Sequence, residues 1–136
     1  MNDVTRVPFG DFLLIGELHT GIDAHTLARM PRVVALGASA LAAPFAGFGD
    51  FEAYPTLAEK AAIYASRVSS YQPLPDGNKR TAYDVMREFI DRNGHTFTHG
   101  DGGLLETAKM IEDVSCGLLP EADFSAWIAA RIAQTP

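Results

Sequence analysis

Apolar positions recur at helical spacing along most of this chain. The clearest run starts near Asn78, where Ala82, Val85, Met86, Phe89 and Ile90 stand at i, i+3, i+4, i+7 and i+8. That spacing places all five on one face of a helix over 78–93. Asn93-Gly94 predicts its end, because both residues accept the left-handed conformation that closes helices. A preceding helix is predicted over 56–71. Thr56 and Glu59 have the spacing of a capping box, and Leu57, Ala61, Tyr64, Ala65 and Val68 form its apolar stripe. Between the two, Gln72-Pro73-Leu74-Pro75-Asp76-Gly77 cannot be helical, since proline and glycine interrupt it.

The flanks read the same way. Phe12, Leu13, Ile15 and Leu18 predict a helix over 10–20, broken by Gly21-Ile22-Asp23. Val33, Val34, Leu36, Ala40 and Leu41 predict one over 32–43, ended by Pro44. Val33 to Gly49 is uncharged, but it is short of the roughly 20 apolar residues of a membrane span and contains Pro44. It reads as a small-residue core helix followed by a loop. The loop, 44–55, is rich in aromatics, and such loops are either packed down or used for binding. His95-Thr96-Phe97-Thr98 alternates and predicts a short extended segment. Leu104, Leu105, Ala108, Ile111 and Val114 mark a helix to about Ser115. Phe124, Trp127, Ile128 and Ile132 predict a last helix over 121–133, with Trp127 as its core anchor. The expected architecture is a single all-α domain over 1–136, built around the hairpin of helices 56–71 and 78–93.

Charge narrows the partners. The chain has 17 acidic and 11 basic residues, a net charge of −6. A general nucleic-acid or anionic-membrane binder needs a basic face, so neither partner is expected. Cys116 is the only cysteine, which rules out an intramolecular disulfide and fits a reducing compartment. It is expected to be an inert buried thiol. The N-terminal residues lack the basic-then-apolar pattern of a signal peptide, and a cytoplasmic location is expected.

Against this acidic background, the adjacent cations Lys79 and Arg80 are a local feature. They fall at a predicted helix start, where unpaired N–H groups and the helix dipole already favour an anion. Gly77 allows close backbone approach, and the N–H groups of Asn78, Lys79 and Arg80 can form an anion nest. Asp76 supplies the hard oxygen that Mg²⁺ prefers. Together these are the parts of phosphoryl or nucleotidyl transfer. The competing reading is a plain Asp-Gly turn with solvated cations. No G-x-x-x-x-G-K-[ST] or G-x-G-x-x-G run is present, so neither a P-loop nor a Rossmann dinucleotide site is supported.

The stretch Gln72-Pro73-Leu74-Pro75-Asp76-Gly77-Asn78-Lys79-Arg80-Thr81-Ala82 resembles the core motif of the Fic/Doc family, H-[PX]-F-x-[DE]-G-N-[KG]-R. The segments Tyr54 to Ala62 and Phe89 to Gly94 resemble its Doc branch, and the similarity runs from about residue 10 to 132. The resemblance implies a compact helical domain that moves part of a nucleoside triphosphate such as ATP, with Mg²⁺, to a protein hydroxyl. Most members transfer AMP and carry glycine where this chain has Lys79. The Doc branch has lysine there, and phosphorylates elongation factor Tu. The resemblance further implies that Asp76 holds Mg²⁺, that Asn78, Lys79 and Arg80 line the anion hole, and that loop 44–55 is a flap docking the target by backbone pairing. No [ST]-x-x-x-E-[GN] inhibitory signature is present, so a separate, Phd-like antitoxin is implied as the restraint.

One position departs from the pattern. The family's histidine, which takes the proton from the attacking hydroxyl, falls at Gln72. Glutamine has no pKa near neutrality and is no general base. Three explanations stand: a weak or inactive relative, another base or a phosphate oxygen in its place, or an introduced change that disarms a toxin. The rival reading is accordingly a catalytically inactive module that binds nucleotide or a protein partner. Leu74 replaces the family's phenylalanine and can still plug an apolar hole. Elsewhere, His95-x3-His99 has helical metal spacing but lies between glycines, so surface residues are expected. His25 is expected at a cap or on the surface. Asp84, Glu88 and Asp91 are expected to pair with Arg80 and Arg87 at i+4 spacing.

Overall fold

The computed structural model describes residues 4–136. In chain order the elements are α1 (Phe9–Thr20), α2 (Ala24–Leu27), α3 (Pro31–Ala42), a 3₁₀ turn (Ala43–Phe45), β1 (Gly47–Phe48), β2 (Phe51–Glu52), α4 (Leu57–Tyr71), α5 (Asn78–Arg92), β3 (His95–Phe97), α6 (Gly103–Ser115), α7 (Glu121–Ala129) and β4 (Ile132–Gln134). The fold is all-α in class, with two short antiparallel strand pairs. No helix among the described residues is long and apolar enough to cross a membrane.

α4 is the pillar of the fold, packed by α3, α5, α6 and α7. Ten of its 15 residues are buried, well beyond the five-residue stripe expected. Its many alanines let neighbouring backbones approach from several sides, and the capping box of Thr56 and Glu59 fixes its start with two bonds of 3.1 Å. α5 buries one face, Thr81, Ala82, Val85, Met86, Phe89 and Ile90, as its periodicity predicts. The Tyr64 and Phe89 rings meet at 4.9 Å, and Phe45 closes edge-on against both. The buried Tyr64 hydroxyl accepts from the Val7 N–H at 3.1 Å, so the polar tip in this aromatic cluster is satisfied.

Two charged anchors hold the periphery to α4. Lys60 is only 2% exposed. Its ammonium donates to Glu52 at 2.7 Å and to the Tyr54 carbonyl, fastening the β1–β2 hairpin to the helix. Arg67 donates to both carboxylate oxygens of Glu121 and to the Tyr54 hydroxyl, tying α7 to the same helix. Burial opposes ionisation of Glu121, but hydrogen bonds from Arg67 and Ser66 outweigh it and hold the carboxyl below its ordinary value of 4.5. The Glu121 hydrogen bond correspondingly raises the Arg67 pKa.

Several expectations are corrected. The last helix stops at Ala129, and Ile132–Gln134 forms β4 against β3, in the register His95↔Gln134, Thr96↔Ala133 and Phe97↔Ile132. The turn is made by Arg131, whose guanidinium donates to the Trp127 and His99 carbonyls and lies 4.0 Å over the Trp127 ring. Trp127 is therefore half-buried under that cation, while Phe124 and Ile128 are the buried anchors. Ala24–Leu27, to which the spacing assigns no element, is a helical turn capped by Asp23 and pinned by the fully buried Leu27. The aromatic loop contains the 3₁₀ turn and a minimal hairpin with Phe48 paired to Phe51. The expected i+4 pairs of Arg80 and Arg87 are replaced: Asp84 takes His19 at 2.5 Å, and Glu88 takes Arg92 at 2.7 Å. Arg87 instead reaches the Tyr83 hydroxyl. Cys116 is exposed, not buried, because it follows the last turn of α6. At the end of α5 the left-handed residue is Gly94 alone (φ +79°), while the Asn93 side chain is spent on Thr5 and the Phe89 carbonyl.

The Glu121 contacts predict an acid limb in stability. Because its folded pKa lies below the unfolded one, its contribution is full above about pH 4.5 and is lost as pH falls through the lowered folded value. Glu121→Gln should flatten thermal stability against pH below 4.5, read by circular dichroism melts. A variant with an unchanged acid limb would show that Glu121 does not contribute to it.

Candidate functional site

The site is the junction between α4 and α5, and its shape is set mainly by residues that do not line it. α4 ends where Gln72 turns left-handed (φ 50°), the one positive-φ residue other than glycine among the described residues. Pro73 then forbids further helix. Arg32, reaching over from α3, donates to the Gln72 carbonyl at 3.2 Å and the Tyr71 carbonyl at 3.4 Å. It thereby satisfies acceptors that the end of α4 leaves open. Sequence reasoning missed Arg32, whose partners lie about 40 residues away.

The loop is then pinned at three points. Leu74 is buried and plugs the gap beside Gly16 of α1 and Leu27 of α2, the role expected of it. Asn78 clamps the loop: its Oδ1 accepts from the Leu74 N–H and its Nδ2 donates to the Leu74 carbonyl, both at 2.9 Å. Gly77 has φ +70°, and a Cβ there would stand 2.9 Å from the Cβ and 3.0 Å from the carbonyl oxygen of His19. Both the conformation and the contact require glycine. The side chain of Asn78 is thus a structural clamp, while its backbone N–H is without a backbone acceptor.

With the loop fixed this way, the start of α5 is open. Its first backbone bond runs from the Thr81 N–H to the Gly77 carbonyl at 2.9 Å, and no side chain caps it. The N–H groups of Asn78, Lys79 and Arg80 are left without backbone acceptors. This helix start borders a cleft of about 320 Å³ that brings together all six residues singled out in the sequence: Gln72, Asp76, Gly77, Asn78, Lys79 and Arg80. Ser69 of α4 also lines it. Its hydroxyl is buried with no hydrogen-bond partner among the described residues. A buried polar atom without a partner is uncommon, and this one borders the cleft. Periodicity gave no sign of Ser69, which reads as one more small residue of the α4 interface.

Neither Lys79 nor Arg80 forms an ion pair among the described residues, nor does Asp76. The Lys79 and Arg80 side chains are exposed, so two uncommitted cations and three open amides share one cleft. Among the described residues no group of three His, Cys, Asp or Glu side chains could cage a metal. Asp76 is a single carboxylate, which suits Mg²⁺ held jointly with substrate phosphates and water better than a cation held by protein alone.

A second groove of about 530 Å³ adjoins the first and shares Lys79 and Arg80 with it. It runs between α5 and α6, with Leu104, Ala108 and Ile111 on one wall and the His19–Asp84 pair on the other. His95 and His99 form no metal site. His99 is held between Tyr83 and Thr107 at 2.9 Å each, and His95 bonds the Asn93 carbonyl. His25 is exposed, as expected. At the hairpin, Phe48 and Phe51 are exposed and packed on one another at 5.5 Å.

A family model described as "Fic/DOC family" matches residues 12–90, from α1 through nearly all of α5, and the chain belongs to that family. No curated protein and no solved structure matches the chain.

The clamp can be tested directly. Asn78→Ala leaves the Leu74 N–H and carbonyl without their partners and should lower unfolding free energy by about 1–3 kcal/mol. Asn78→Asp keeps the acceptor for the Leu74 N–H and should cost less. Urea denaturation measures both, and equal losses would contradict the clamp.

Proposed function

We propose that this Fic/DOC family chain is a Doc-like toxin that transfers a phosphoryl group from a nucleoside triphosphate to a hydroxyl of a translation factor, at a rate attenuated by Gln72. The reading extends to cytoplasmic action, a translation elongation factor as target and a Phd-like antitoxin as restraint. The observation that carries it is the open start of α5. Three free amides, Lys79 and Arg80 converge there on a cleft that also holds Asp76.

The chemistry follows from that arrangement. The amides and the helix dipole stabilise the charge of the transferring phosphoryl oxygens. Arg80 offers a planar fork to one phosphate edge, and Lys79 a point charge. Asp76 is the residue that would hold Mg²⁺, which neutralises phosphate charge when bound. The target hydroxyl gives its proton to a phosphate oxygen or another base, its oxygen forms the new P–O bond, the bond to the leaving nucleotide breaks, and that bond's electron pair leaves with the nucleoside diphosphate. Lys79 supports phosphoryl over AMP transfer, because its side chain takes room that the outgoing diphosphate tail of an AMP donor would need. The exposed hairpin bearing Phe48 and Phe51 is proposed as the flap that docks the target segment.

Gln72 favours a second reading. It lines the cleft with an amide that cannot accept a proton at neutral pH. A chain with an intact anion site and no base is a nucleotide- or partner-binding module.

Transfer from γ-³²P-ATP and α-³²P-ATP to proteins of a bacterial lysate separates the readings. The expected result is γ-label transfer that falls by about 10² or more in Asp76→Ala, the scale for losing one preorganised electrostatic group. Transfer of α-label would mean AMP transfer. No transfer of either label, even by Gln72→His, would overturn the transferase in favour of the binding module.

A further inference from the structure

The geometry points to His19, oriented by Asp84, as the proton acceptor that serves this site in place of the base missing at Gln72. The inference rests on the transferase reading above and names a catalytic residue for it.

His19 lies in the last turn of α1 and Asp84 in the second turn of α5. The His19 Nε2 and Asp84 Oδ2 stand 2.5 Å apart. A carboxylate only accepts, so Nε2 carries the donated proton, and in the neutral ring Nδ1 then holds the free lone pair. This is the relation by which an acid orients a histidine base. Among the described residues Nδ1 has no hydrogen-bond partner. The imidazole is 17% exposed, enclosed yet reachable from the 530 Å³ groove that it lines.

Its position ties it to the anion site. The His19 backbone and Cβ are the surface on which Gly77, the residue just before the open amides, is seated. Asp84 follows Arg80 by four residues, so the two lie about 6 Å apart along one face of α5. Lys79 and Arg80 border both the anion cleft and the groove that holds the pair. A target hydroxyl entering by this groove meets the imidazole beside the bound phosphoryl group. Its proton passes to Nδ1, its oxygen bonds to phosphorus, and the electron pair of the broken P–O bond leaves with ADP. The imidazolium, stabilised by Asp84, then returns its proton to water. The pair joins two residues from distant elements, so local spacing marks neither for proton transfer and offers Asp84 only as a helical ion-pair partner.

The charged groups that line the same groove as His19 are Asp84 from the same pair, Lys79 and Arg80 from the first turn of α5, and Lys109 and Glu112 from α6. A rate that depends on a free Nδ1 lone pair should therefore fall as the medium is made more acid.

The test is γ-³²P transfer between pH 5 and 9 by the unaltered chain, His19→Gln, Asp84→Asn and Gln72→His, with fluorescent-nucleotide binding and melting curves on each. The expected result is transfer by the unaltered chain with an acid limb. His19→Gln should lose the limb and about 10²–10⁴ in rate, the scale of general base catalysis, while retaining nucleotide affinity. Asp84→Asn, nearly isosteric and so a check on folding, should lose rate without losing affinity. Retention of rate and limb in His19→Gln would overturn the inference, leaving His19 as a mere brace between α1 and α5. An inactive unaltered chain beside an active Gln72→His would also overturn it while upholding the transferase site. Inactivity of both would remove the transferase reading itself.

Discussion

The start of α5 is polar surface that the fold declines to satisfy internally. Three amide N–H groups beside one cleft lack backbone acceptors, and the usual remedy, a Ser, Thr, Asp or Asn cap, is absent because Gly77 stands at the cap position. The nearby asparagine cannot act as substitute, since both ends of its side chain are held by Leu74. Water satisfies such amides at modest cost, whereas an anion gains from them, from the dipole and from two unpaired cations together. The rest of the local structure keeps that arrangement rigid. Leu74 anchors the loop in apolar packing, Arg32 fixes the end of α4, and His19 backs Gly77 so closely that no side chain fits between them.

That rigidity depends on α4. A helix with ten buried residues has little freedom to shift, so the carbonyls at its C-terminus are fixed reference points for the loop. The same helix carries Lys60 and Arg67, which bind the hairpin and α7 by charge-assisted hydrogen bonds. A single packed helix therefore positions both the anion cleft at its end and the exposed aromatic hairpin near its start. Removing one partner from either ion pair leaves a partly or fully buried cation unpaired, which costs more than the pair contributes when intact.

Features that depend on neighbours in sequence were legible before any coordinates. The capping box, the face of α5, the Pro-Gly interruption and the cluster from Asp76 to Arg80 all follow from local spacing, and the structure has each of them. Features set by distant partners were not legible. Nothing local marks Lys60 as buried, since lysine is normally exposed and only Glu52 and Tyr54 make its burial tolerable. Ile132 continues the helical period of Trp127 and Ile128, but pairing with β3 and the stacking of Arg131 draw it into a strand. Asp84 has Arg80 four residues before it, the usual signal for a helical ion pair, yet it turns to His19 on another helix. Local propensity was overridden in these cases by an interaction more than 30 residues away in the chain or by a buried contact.

Gln72 shows how separable binding and proton transfer are in this fold. Its side chain makes no hydrogen bond among the described residues, and only its carbonyl is engaged, by Arg32. Its left-handed backbone is set by Pro73 and the end of α4, and a side chain there other than glycine bears strain. The loop is shaped by Leu74, Gly77, Asn78 and Arg32, none of which touches the side chain at 72 through a hydrogen bond. A change of base at this position therefore leaves the anion cleft intact. On the proposed reading, the amides, the cations and Asp76 place a phosphate whether or not a proton acceptor is present. The difference between the proposed transferase and the rival nucleotide-binding module then reduces to one well-placed lone pair, at the end of α4 or, as inferred for His19, across from it on α1.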